Sequence, residues 1–172
     1  MSALQQYINL YNQNADTICA RSPQPLNALR QRALQALSGA SLPHKGQEDY
    51  EATDLEAAFA PDYGLNINRV DFSGNPAETF RCDVPNMSTC MYFVYNDMFH
   101  PSSTARLGSS GIVVESFSEA AVNHPQLLSK YYGTVAPGDK PEVALNTLLA
   151  QDGILVYIPD NVVAQKPIQI VN

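Results

Sequence analysis

Apolar residues in the first forty positions recur at helical spacing. Leu4, Ile8, Tyr11, Ala15 and Ile18 fall at i, i+4, i+7, i+11 and i+14, one stripe of an amphipathic helix. Ser22-Pro23 supplies an N-cap and a first helical position for a second helix, where proline's missing N–H costs nothing. Its apolar face is Leu26, Leu29, Ala33 and Leu37, and Gly39 supplies the stop. The pair predicts an αα-hairpin over 1–40 whose helices each need a partner surface, because helices this short are marginal alone.

The pattern then breaks up. Residues 40–66 are irregular, punctuated by Pro43, Gly46, Pro61 and Gly64, with Thr53-Asp-Leu-Glu56 at capping-box spacing. That box predicts a short helix over 54–59 with Leu55 and Phe59 facing inward. From about residue 66 the period becomes that of strands. Cys90–Tyr95 and Gly111–Glu115 are rich in aromatic and β-branched residues. Asn96-Asp97 sits at a tight hairpin turn, where aspartate is a poorer choice than glycine for positive φ. Ser116-Phe-Ser-Glu119 is a second capping box, and 125–132 adds another helical turn or two.

Asp139 and Pro141 open a helix whose face is Val143, Leu145, Leu148 and Leu149. Asp152-Gly153 ends it, with the glycine expected in the left-handed C′ conformation. Ile154–Ile158 and Pro167–Val171 follow as strands. Two apolar strands at the end of a chain need cover, since open edges invite aggregation. Either the last one pairs with an earlier strand such as 90–95, or the polypeptide is truncated after Asn172. The fold class is α+β.

Composition narrows the function classes. A net charge of −7 over 172 residues excludes a phosphate-binding surface built from Lys and Arg, and so nucleic acid as a partner. No apolar run approaches a membrane span, and the first residues lack a secretory signal, which makes the cytoplasm the expected compartment. Three cysteines are too few and too odd for a disulfide framework.

The chemistry-bearing residues form no constellation. Cys82 and Cys90, with Asp83 and His100 nearby and Cys19 distant, lack the spacing of a zinc or iron–sulfur site and read as small hydrophobes. His44, His100 and His124 each stand beside a proline, in loop context, with no acid paired to them locally. Gly108-Ser-Ser-Gly111 is one residue short of a nucleophile elbow, and Ser116 does not complete one. Lys45-Gly46 lacks the glycine frame of a phosphate loop. Glu48, Asp49, Glu51, Asp54 and Glu56 lack calcium-loop spacing and read as a solvated acidic face. The Leu4–Ile18 stripe either packs within the chain or docks a partner helix. No catalytic, cofactor-binding or metal-ligating residue is assigned, and the chain is not expected to be an enzyme.

One long segment is less anonymous. Leu145-Asn-Thr-Leu-Leu-Ala-Gln-Asp-Gly153-Ile-Leu-Val-Tyr-Ile-Pro159, followed by Lys166-Pro167-Ile168, resembles the SufB/SufD family of iron–sulfur cluster assembly scaffolds. Leu42-Pro43, Glu48-Asp49-Tyr50, Thr53-Asp54-Leu55, Tyr95–Phe99 and Gly111–Val114 with Glu119-Ala120 add further pieces in the family's order, closest to SufD. Asp97 departs from the family's usual glycine, and Leu148-Leu149 from its small-aromatic pair.

The resemblance implies a helical hairpin over 1–40, a mixed α+β capping region over 41–150, and the first strands of a right-handed parallel β-helix over 151–172. It also implies a non-enzymatic scaffold acting with SufB and the SufC ATPase, which carries the ATP. The iron–sulfur cluster belongs to the complete assembly, with no cofactor expected in this region. The family's cluster-forming cysteine, glutamate and histidine positions fall beyond Asn172, so none carries over to a residue here. The alternative is a free-standing, non-catalytic interaction domain, monomeric or homodimeric, and an enzyme of unknown type is a third reading.

Overall fold

The computed structural model describes residues 2–70, 74, 89–100, 111–136 and 138–172. Cys82, Asp83 and the Gly108–Ser110 stretch lie outside the described residues. The helices are α1 (Ala3–Ala20), α2 (Gln24–Leu37), α3 (Leu55–Phe59), α4 (Phe117–Asn123), α5 (Pro125–Tyr131) and α6 (Pro141–Leu149). The strands are β1 (Cys90–Tyr95), β2 (Met98–His100), β3 (Val113–Ser116), β4 (Ile154–Tyr157) and β5 (Ile168–Val171). The architecture is α+β, with a three-stranded sheet ordered β2-β1-β5 and a two-stranded sheet of β3 and β4.

The core is helical. Ala3, Leu4 and Tyr7 of α1, Ala33 and Leu37 of α2, Leu42, and Ala144, Leu145 and Leu148 of α6 form one buried cluster, with Leu55 and Phe59 of α3 packed against it. α1 buries Leu4 and Ile18 as expected, while Tyr7 takes the buried place expected of Ile8. α2 finds its main partner in α6 rather than in α1. The stripe at Leu4–Ile18 therefore packs within the chain.

Two of the N-cap readings change. The cap of α3 is Asp54, whose Oδ1 accepts from Ala57 N at 2.8 Å, one residue after the expected Thr53. Glu56 leaves the box because its Oε1 accepts the Ala3 N–H at 2.6 Å, helping Ser2 to cap α1. Ser22 likewise caps nothing. Its hydroxyl donates to Ile18 O, and α2 starts from Pro23 without a side-chain cap. The box at Ser116 and Glu119 forms with both of its bonds.

The closing strands settle against earlier ones. β5 pairs parallel with β1, Cys90 opposite Ile168 and Phe93 opposite Val171, while β4 runs antiparallel to β3. The expectation that the last strand joins 90–95 holds. Asn96 and Asp97, at φ +49° and +59°, make the two-residue turn between β1 and β2.

Candidate functional site

The segment from Leu145 to Pro159 carries most of the unusual geometry. Leu145 and Leu148 are buried in the helical core, so the helix ends against packed side chains with its last carbonyls away from water. Arg30, itself only 1% exposed, supplies the missing donors. Its Nη1 reaches Leu148 O and Thr147 O, its Nη2 reaches Ala150 O at 2.6 Å and Ser22 Oγ at 2.7 Å, and its Nε reaches Asn27 Oδ1 at 2.9 Å. A guanidinium suits this place because its five donors fan out in one plane and its charge opposes the negative end of the α6 dipole. Burial pushes its pKa below the ordinary arginine value, opposed by Cys19 and Tyr11 beside it.

Past the helix, Asp152 gathers three elements. Its carboxylate accepts from Ser118 N and Ser118 Oγ at the start of α4, both at 3.1 Å, and from Gly153 N. It also pairs with Arg69 at 2.9 Å, its side chain 4% exposed. Arg69 holds φ +49°, a left-handed backbone that non-glycine residues seldom adopt. The loop bearing it is strapped down further: Arg21 Nη1 donates to Asn68 O, Gln151 Nε2 to Asn66 O at 3.3 Å, and Asn66 Nδ2 to Asn96 O at 2.8 Å.

Gly153 departs from the sequence reading. It is absent from the positive-φ residues, and α6 ends earlier, at Leu149. What requires glycine is the ring of Phe117. A β-carbon at 153 would stand 2.4 Å from Phe117 Cε2. The ring is held in turn edge-on against Tyr132, centroids 5.4 Å apart.

Beneath the 65–70 loop lies an open cavity of about 240 Å3. Ile18, Ile67, Val94, Phe99, Leu149 and Ile154 give it apolar walls, and Asp97, Asn146, Gln151 and Asp152 its polar groups.

The sequence candidates are not brought together. Cys19 is half-buried, its sulfur 4.0 Å from the Tyr11 hydroxyl, and Cys90 is buried in β1. His44 is an exposed loop residue, as read. His100, read as a loop residue, lies in β2 with its ring stacked on Tyr95 at 3.7 Å. His124, read as having no acid paired to it locally, has its Nε2 3.7 Å from Oε1 of Glu115 on β3. Glu48, Asp49 and Glu51 are exposed, whereas Asp54 and Glu56 act as helix caps. Among the described residues no group of three or more His, Cys, Asp or Glu could hold a metal ion. No described helix is long and apolar enough to cross a membrane.

Arg30, Arg69 and Gln151 were not legible as site residues. Arg30 had one signal: it stands at i+4 from Leu26 and three before Ala33, inside the buried stripe of α2.

A profile of the SufBD protein N-terminal region matches residues 1–170. A Synechocystis protein named as an iron–sulfur cluster assembly SufBD family protein is 30% identical over 143 residues, covering 82% of this chain and 31% of its own length. A protein of that same description from Pyropia yezoensis is 45% identical over 58 residues, 33% of this chain and 12% of its own. Another from Arabidopsis thaliana, designated chloroplastic, is 41% identical over 63 residues, 36% of this chain and 11% of its own. The matched stretch thus spans less than a third of each of these relatives. No solved structure matches the chain.

Proposed function

This chain belongs to the SufB/SufD family, and on that premise we propose that it is the N-terminal portion of a SufD-like scaffold subunit for iron–sulfur cluster assembly and transfer. The observation that carries the reading is the extent of the family match, from residue 1 to residue 170. The choice of SufD rests on the Leu42-Pro43 and Glu48-Asp49-Tyr50 region of the sequence. SufB is the proposed partner scaffold, and the SufC ATPase supplies ATP hydrolysis. The cluster is cargo of the complete assembly, and this region takes no cofactor of its own. The role is structural, without catalysis, in the cytoplasm and without nucleic acid or membrane.

In physical terms the region caps a longer core. The chain divides into a helical segment over 1–40, a mixed capping region over 41–150, and strands over 151–172 that begin a right-handed parallel β-helix. Of the two strands in 151–172, β5 pairs parallel with β1, the sense of pairing within a parallel β-helix, whereas β4 pairs antiparallel with β3. Co-expressing the native gene product with SufB and SufC, with and without residues 1–140, tests it. The proposal expects co-purification, and loss of soluble, stable complex on deletion. Equal solubility and stability without residues 1–140 would falsify the capping role.

A second reading is a free-standing interaction domain. It is favoured by the helical core, which α1, α2, α3 and α6 close among themselves. It expects a cooperative thermal melt for the 172-residue chain, as monomer or homodimer, with no affinity for SufB or SufC.

A further inference from the structure

Among the described residues, the helical core and the β2-β1-β5 sheet are joined by little apolar packing. The core cluster takes no residue from β1, β2 or β5, and no helix packs along those strands. The sheet's own buried side chains, Cys90, Tyr92 and Phe93, stand outside that cluster, and Tyr92 stacks within the sheet on Phe99 at 5.9 Å. The open cavity of about 240 Å3 lies between the two bodies, with Ile18 and Leu149 on the helical side and Val94 and Phe99 on the other. Across it runs the 65–70 loop. Asn66 shapes that loop: its Oδ1 accepts from Val70 N at 2.9 Å, its Nδ2 donates to Val70 O at 3.2 Å, and its carbonyl accepts from Arg69 N at 2.9 Å. Among the described residues the loop grips the helical side at three places, through Arg21 to Asn68 O, Gln151 to Asn66 O and Arg69 to Asp152. It grips the sheet at one, where Asn66 Nδ2 donates to Asn96 O at 2.8 Å in the turn between β1 and β2.

We infer that residues 66–70 are a clasp, and that losing the Asn66–Asn96 bond frees the β2-β1-β5 sheet to move as one body against the helical core. A single neutral hydrogen bond is a weak tie. Dispersion contacts resist motion only where many atoms touch at once, and an open cavity removes them from the place where the two bodies face each other. Within the sheet the reverse holds, since β1 is laddered to β2 on one edge and to β5 on the other. The loop stays with the helices, its three grips there outlasting the one on the sheet. β5 and the Asn96-Asp97 turn travel with the sheet, so the clasp sets the angle at which β5 lies to α1, α2 and α6. This inference does not rest on the scaffold reading.

The test is a set of amide residual dipolar couplings from the 172-residue chain in a weakly aligning medium, with amide hydrogen exchange recorded beside them. In the unaltered protein one alignment tensor is expected to fit α1, α2, α6 and the sheet alike. Two variants release the clasp: Asn66→Ala, and Asn66→Asp, which keeps the acceptor for Val70 N but loses the donor to Asn96 O. In both, the tensor of the sheet falls to about two-thirds or less of that of the helices, as hinge motion averages it. The β1–β5 ladder amides meanwhile keep their protection to within about threefold. Asn66→Asp decides alone if the alanine variant does not fold. One tensor that still fits both bodies after release overturns the inference. Loss of ladder protection does so too, because the sheet then unfolds rather than moves. Separate tensors already in the unaltered protein would also overturn it, since the clasp would then hold nothing.

Discussion

Gly153 and Phe117 compete for one volume: a β-carbon on the glycine would lie 2.4, 2.7 and 2.9 Å from three ring atoms of the phenylalanine. The ring has little room to retreat, because Tyr132 backs it edge-on. Gly153→Ala is therefore expected to destabilise the fold by about 1–3 kcal/mol, the usual range for overpacking. Urea denaturation measures this, and Gly153→Ala with Phe117→Leu should recover part of the loss. A neutral Gly153→Ala would show that the ring moves freely.

Arg30 is the other residue on which the end of α6 depends. Arg30→Ala leaves the carbonyls of Leu148 and Ala150 buried without donors, and the expected loss is about 3 kcal/mol or more. Arg30→Lys keeps the charge but not the planar fork and should fall between the two. Chemical denaturation of the three proteins gives the order, and amide exchange at Ala150 and Gln151 should rise in both variants.

Asp97 sits at φ +59° in the turn between β1 and β2, where glycine carries no steric penalty. Asp97→Gly is expected to stabilise the chain by about 0.5–1 kcal/mol. A thermal melt at neutral pH checks it, and a lowered Tm would mean that the carboxylate contributes more than its backbone strain takes away.

Burial raises the pKa of Tyr7, Tyr92 and Tyr132 above the ordinary value of 10.0. In the unfolded chain these phenols titrate at 10.0, so above that pH the unfolded state loses protons first and is favoured. Their contribution to stability is whole below pH 10 and is lost as pH rises through the folded values. Unfolding free energies at pH 9, 10 and 11 should fall in that order. Tyr132→Phe should make the decline shallower while keeping the ring contact with Phe117.

Gly153 and Arg30 also mark how far the amino-acid pattern can be read. The Ser116–Glu119 box forms as expected because both partners lie within one turn of each other. The same pattern at Thr53–Glu56 fails because the Ala3 N–H, 53 positions away, claims the glutamate. Gly153 reads as a helix terminator from its neighbours, yet its reason is a ring brought in by α4. Arg30 shows only its place in the buried stripe of α2, and its role appears when α6 delivers carbonyls 118 and 120 positions distant. Periodicity locates elements and one face of each; it carries no information on which distant backbone arrives at that face. The apolar walls of the cavity were visible as separate stripes, and their meeting was not.

The parallel pairing of β5 with β1 also sets an order of events during synthesis. Thr89 and Gln169, bonded at the foot of the two strands, are 80 positions apart. At about 5–20 residues per second a ribosome needs roughly 4–16 s to deliver the second after the first. Throughout that interval β1, with Tyr92 and Phe93 that are later buried, has only the short β2 beside it and one edge unmatched. The nascent chain is thus most open to mispairing in a window defined by translation speed, and slower elongation between β1 and β5 would lengthen its exposure to chaperones and aggregation alike.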